Sequence, residues 1–264
     1  MKKCLKFELI KFFNIKILFI FLLFQVIWTI IVALSISYST HDSIVNNFIL
    51  IRTLTINGNF YIPIIVSLVI GRIFSIEYEN NIEFALKLYK NDHIERYIYK
   101  TLICIIYIVV SYGIQFLIAL IIQTNIQVDS MDLSFWVIDT EVVFEQRCAF
   151  YNILTLYLNQ ILGSIFILEM FIFYINFNKN YLKSALLTII SIFTINAIEY
   201  FMFLFSKISN NFYKYLPFNS EYTWRSLKFL QFGDLATGLV FFSICLSMIN
   251  IITFKHDLKG EFLL

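Results

Sequence analysis

The sequence predicts an all-α integral membrane protein with six transmembrane helices, an interfacial helix at its start and a short cytoplasmic helix between spans two and three. Three observations predict it. Hydrophobic residues make up 59% of the 264 positions and charged residues only 14%, against about 25% charged in soluble domains. Six stretches are apolar enough to cross a hydrocarbon core of about 30 Å, which takes roughly 20 helical residues. Lysine and arginine divide unevenly between alternate loops. A net charge of +2 spread by loop, with no basic patch, points away from nucleic acid.

Residues 1–16 open the chain with Leu5, Leu9 and Phe12 at i, i+4 and i+7 and lysines on either side. A helix lying in the interface, its lysines toward anionic lipid headgroups, fits these residues; so does an ordinary positive flank for the first span. The predicted spans are Ile17–Ser37, Phe60–Ile76, Thr101–Gln123, Phe150–Ile175, Ser184–Phe205 and Leu235–Phe254. The first exceeds the apolar core of a cleaved signal peptide. In the second, Pro63 falls in the opening turn, where a missing N–H is cheap, and Arg72 lies near one end, where it can snorkel.

With the amino terminus inside, fourteen basic residues fall on the inner side and six on the outer, so the positive-inside rule places both termini in the cytoplasm. The loop Thr124–Gln146 is then outside and acidic, and Asn176–Lys183 is a tight inner turn. The connection 206–233 is outside and rich in aromatic residues, among them Tyr213, Tyr222 and Trp224. Trp and Tyr favour the headgroup level, so this connection reads as interfacial helices that belt the membrane or cap an exit path. Seven glycines and two prolines are few, which argues against transporters built on broken helices. Cys4, Cys104, Cys148 and Cys245 are scattered without metal-type spacing and read as packing residues.

The most informative stretch is Arg72 to Lys100, which holds five basic residues (Arg72, Lys87, Lys90, Arg96, Lys100) and five acidic ones (Glu77, Glu79, Glu83, Asp92, Glu95). A topological anchor needs only Lys and Arg. Mixed charge on helical spacing instead describes a folded surface made for another protein. Ile82, Leu86 and Tyr89 form an apolar stripe, and Glu83 precedes Lys87 in the favourable i, i+4 order. Asn91 and Asp92 break the run, and Asp92 with Glu95 resembles a capping box, so a fresh helix starts near His93.

In these features the chain resembles the type-2 permease subunits of ATP-binding-cassette exporters, particularly small bacterial ones that handle bacteriocins, lantibiotics and other membrane-active peptides. The resemblance covers the whole length. It rests on the basic amphipathic start with Phe7, Glu8 and Lys11, the six spans, and the run Arg72…Glu77-Tyr78-Glu79…Arg96…Lys100. It also rests on the inner turn Asn176–Lys183 and the ending Phe254-Lys255-His256-Asp257. It implies a single transmembrane permease domain over 1–264, in a bacterial plasma membrane, with residues 77–100 as a coupling segment. A cytoplasmic ATPase subunit would dock there, against Glu77, Glu79, Glu83, Lys87 and Lys90. The further partners implied are a second permease copy or paralogue, membrane lipids and a peptide substrate.

The chain has no G-x-x-x-x-G-K-[ST] loop, so ATP and Mg would be bound by the partner and no cofactor by this chain. Two ionisable residues lie inside spans: Glu169 in the fourth and Glu199 in the fifth. Such groups are costly in a membrane and carry a functional hypothesis by default, here that they line a translocation pathway. The alternative is that each is protonated or hydrogen-bonded to neighbours such as Asn159, Gln160 or Asn196. Two other functions stay open. An intramembrane protease is poorly served, because His41, His93 and His256 lie far apart. A stand-alone immunity protein that sequesters a toxin would differ by lacking an ATPase gene beside it.

Overall fold

The computed structural model describes residues 16–39, 68–76, 93–126, 135–136, 143–144, 146–205 and 232–259. Among them the elements in chain order are α1 (Lys16–Ser39), the helical stretch 68–76 (α2), and α3 (His93–Ile126). A two-residue antiparallel pair follows, β1 (Phe135–Trp136) and β2 (Val143–Phe144), then α4 (Gln146–Asn178), α5 (Tyr181–Phe205) and α6 (Phe232–Lys259). Three helices contain segments long and apolar enough to cross a membrane, Leu18–Ser35, Tyr97–Ile122 and Gln160–Asn178. Shorter apolar helical segments run Tyr181–Ile195 and Val240–Thr253. Helices suit such sequences because they satisfy every backbone N–H and C=O internally.

The helices face the bundle with their polar side. On α1, Gln25 and Thr29 are buried together with Leu18, Phe21 and Val32, while Phe19, Ile20, Leu23, Ile27 and Ile31 are exposed. On α5, Ser184, Ala185 and Thr188 are buried, and Leu182, Leu186 and Phe193 are exposed. Polar residues turned inward among apolar ones, with an outer face of large apolar side chains, is the pattern of helices packed against one another in lipid.

Side-chain pairs set the relative directions. Leu18, Gln25 and Val32 meet Tyr107, Ser111 and Ile122 in rising order, so α1 and α3 run parallel. Tyr97, Tyr112 and Phe116 meet Glu169, Ser164 and Tyr157 in falling order, so α3 and α4 are antiparallel. Phe166, Glu169 and Asn176 meet Phe242, Asn250 and Thr253 in rising order, so α4 and α6 are parallel. α5 returns along α4, with the Tyr174 and Ser191 hydroxyls in contact. Thus α1, α3 and α5 run one way and α4 and α6 the other.

The core lies between α1, α2, α3 and α4, where Leu18, Ile70, Ile108, Tyr112, Phe171, Ile172 and Ile175 are fully buried. α2 approaches α4 so closely that a Cβ on Gly71 would stand 2.5 Å from a ring carbon of Phe171, a distance no real side chain tolerates. α4 ends at Lys179, whose φ is 51° and whose N–H bonds Ile175 O at 2.9 Å. Asn180 then caps α5, its Oδ1 accepting the Lys183 N–H at 3.1 Å. This is the tight turn the sequence predicts at 176–183.

Candidate functional site

Three helices converge on one carboxyl. Glu169 of α4 is 2% exposed. Asn250, fully buried on α6, donates from Nδ2 to Glu169 Oε2 at 2.8 Å and to the Glu169 carbonyl oxygen at 2.9 Å. Tyr97, in the second turn of α3, donates its hydroxyl to the same Oε2 at 3.4 Å. The junction therefore joins α3, α4 and α6 through neutral partners. At membrane depth such a polar knot is worth more for fixing which helices meet than for raw stability.

Two basic groups of α2 and α3 lie against aromatic rings. Lys100, one turn beyond Tyr97, is buried with its Nζ 5.6 Å from the centre of the Phe74 ring. Arg72 places its guanidinium 5.1 Å from the centre of the Tyr181 ring. Both sit in cation–π range, which replaces part of the lost hydration. The sequence counts Lys100 with an exposed charged surface. The structure instead buries it, because α3 begins at His93 and carries Lys100 into the bundle.

A second polar layer lies further along the α3–α4 seam. The Ser111 hydroxyl donates to Gln25 Oε1, and Gln25 Nε2 donates to Ser111 O at 3.5 Å, tying α1 to α3. Tyr107 donates to Leu18 O at 2.8 Å. Tyr112 and Ser164 share a hydroxyl pair at 2.9 Å, tying α3 to α4. Gln115 and Tyr157 stand beside this pair on the same two helices, both buried.

Of the residues singled out from the sequence, Glu169 lies at the three-helix junction. Its described partners are Tyr97 and Asn250, whereas the side chains of Asn159 and Asn196 lie outside the described residues. Gln160 precedes Glu169 by nine residues, half a turn out of phase and about 13 Å along the axis, so it faces elsewhere. Glu199 belongs to α5, but its side chain lies outside the described residues, as do Glu77, Glu79, Glu83, Lys87 and Lys90. Asn250 was legible in principle as the sole carboxamide within Leu235–Phe254, and a polar group at such depth asks for a partner. Neither a family model, nor a curated protein, nor a solved structure matches the chain.

Proposed function

We propose that the chain is the membrane-spanning permease subunit of an ATP-binding-cassette exporter in a bacterial plasma membrane, with both termini cytoplasmic. It couples ATP hydrolysis by a separate ATPase subunit to export or removal of a membrane-active peptide, as in self-protection against an antimicrobial peptide or bacteriocin. One observation carries the reading: the mixed-charge stretch 77–92 lies in the sequence between the predicted second span and α3, whose helix begins at His93. Only four residues later Tyr97 bonds Glu169, and Glu169 in turn bonds Asn250 on α6. A push delivered to the charged stretch thus has a short polar route into three packed helices, as rigid-body coupling requires. Glu169 acts in this reading as a link between helices at the edge of the pathway, with Glu199 a second pathway candidate. A second permease copy or paralogue completes the transporter.

The test is to look for an ATP-binding-cassette ATPase encoded beside this gene and to co-express the two. Reversing the charges of Glu79, Glu83 and Lys87 is expected to abolish co-purification of the ATPase while leaving the permease in the membrane. Unchanged recovery, or the lack of any such neighbouring ATPase, overturns the reading and leaves the stand-alone immunity protein in its place.

A further inference from the structure

Gln115 and Tyr157 face a problem that their neighbours have solved. Gln115 is 1% exposed and neither its Oε1 nor its Nε2 has a hydrogen-bond partner among the described residues; the Tyr157 hydroxyl, on a side chain 3% exposed, is in the same position. Helix geometry places the two at one level of the α3–α4 seam, since Gln115 adjoins Phe116 and the Phe116 ring meets that of Tyr157. Gln115 follows Ser111 by four residues and Tyr112 by three, so it points between the α1-facing and α4-facing directions of α3. Tyr157 precedes Ser164 by seven residues and therefore shares its face of α4. The Phe116 and Tyr157 rings touch edge to face with centroids 5.0 Å apart. The layer thus offers a carboxamide with both donor and acceptor capacity and one phenol without a partner among the described residues, beside the Tyr112–Ser164 hydroxyl pair.

Polar atoms buried at membrane depth without partners are among the costliest features a fold can carry. Buried waters typically make about three hydrogen bonds to such otherwise unsatisfied groups. We propose that Gln115 and Tyr157, with the Tyr112–Ser164 pair, form an internal water-binding site on the α3–α4 seam. The chemistry selects a small neutral molecule that both donates and accepts. Among the described residues the layer is uncharged, and its side chains are buried in the bundle. The site stands independently of the permease reading. It adds that the seam is hydrated at the end remote from Glu169, twelve residues or about 18 Å along α4.

X-ray radiolytic hydroxyl-radical labelling of the full chain in lipid nanodiscs tests this, because radicals born from bound water label buried side chains that bulk solvent cannot reach. Tyr157, 3% exposed, is expected to label faster than Tyr107, which at 7% is slightly more exposed but already bonded to Leu18 O. Gln115→Leu is expected to reduce Tyr157 labelling to the Tyr107 rate. If that variant fails to fold, Tyr157→Phe is read instead through loss of labelling at Tyr112. Equal rates at Tyr157 and Tyr107 in the native chain, or Tyr157 labelling that survives Gln115→Leu, overturn the proposal.

Discussion

Replacing Asn250 by leucine isolates the strongest link at the three-helix junction. The substitution keeps bulk but removes two hydrogen bonds, at 2.8 and 2.9 Å, from one glutamate. Interhelical bonds in membranes average about 0.6 kcal/mol and reach about 1.7, so the pair is worth about 1–3 kcal/mol. Leaving the buried carboxyl short of donors adds about 1–3 kcal/mol. Asn250→Leu should therefore cost about 2–5 kcal/mol, whereas Tyr97→Phe, which loses only a 3.4 Å contact, should cost less than about 0.5 kcal/mol. Pairing Asn250→Leu with Glu169→Leu removes the stranded group as well. The double variant should be less destabilised than the two single losses added together, with a coupling of about 1–3 kcal/mol. Reversible unfolding in bicelles by added denaturing detergent reads these differences directly. Strict additivity, or Tyr97→Phe matching Asn250→Leu, would refute the junction as drawn.

Three glycines give opposite signs for one substitution. Gly113 and Gly163 have no described heavy atom within 4 Å of where a Cβ would stand, so alanine at either should stabilise by about 1 kcal/mol through helix propensity. Gly71→Ala drives its Cβ to 2.5 Å from the Phe171 ring, and overpacking of about 1–3 kcal/mol outweighs that gain. Thermal unfolding in nanodiscs should show two rises and one fall. At the α4–α5 turn, Lys179→Gly should stabilise by about 1 kcal/mol, since φ is 51° there. Asn180→Ala should cost about 1 kcal/mol by removing the cap on Lys183 N, and hydrogen exchange at residues 183 and 184 should accelerate with it.

Local signals were readable from the sequence because local physics sets them. The Asp92 and Glu95 pattern marks where α3 begins, and the helix does start at His93. The Lys179–Asn180 break and the apolar stretches likewise come from nearby residues. The helices outrun the predicted spans, as in His93–Ile126 against Thr101–Gln123, because span limits were drawn where charge begins, whereas a helix continues through charged residues into the headgroup region. The short pairing of Phe135 with Phe144 and Trp136 with Val143 was not anticipated, since two residues per strand leave no periodicity to detect. The partners of Glu169 were illegible for a different reason. They lie 72 and 81 residues away in sequence, and only the packing of α3 and α6 on α4 selects them over nearer polar residues.

The α3–α4 seam is built differently at its two ends, and that asymmetry bears on how a bundle of this kind would move. Near Glu169 the carboxyl is tied to both flanking helices. Near Tyr157 the polar groups exceed the partners the described residues give them, and water-bridged contacts exchange partners at little cost. A load entering through α3 should then pivot the helices about Glu169 and part them near Tyr157. Spin labels at lipid-exposed positions test this without touching the seam: Ile98 with Phe177 at the knotted end, Leu117 with Leu158 at the other. Under the permease reading, ATP binding by the partner should change the Leu117–Leu158 distance distribution and leave Ile98–Phe177 nearly fixed. Equal displacement of both pairs would mean that α3 slides bodily along α4, and the pivot would have to be abandoned.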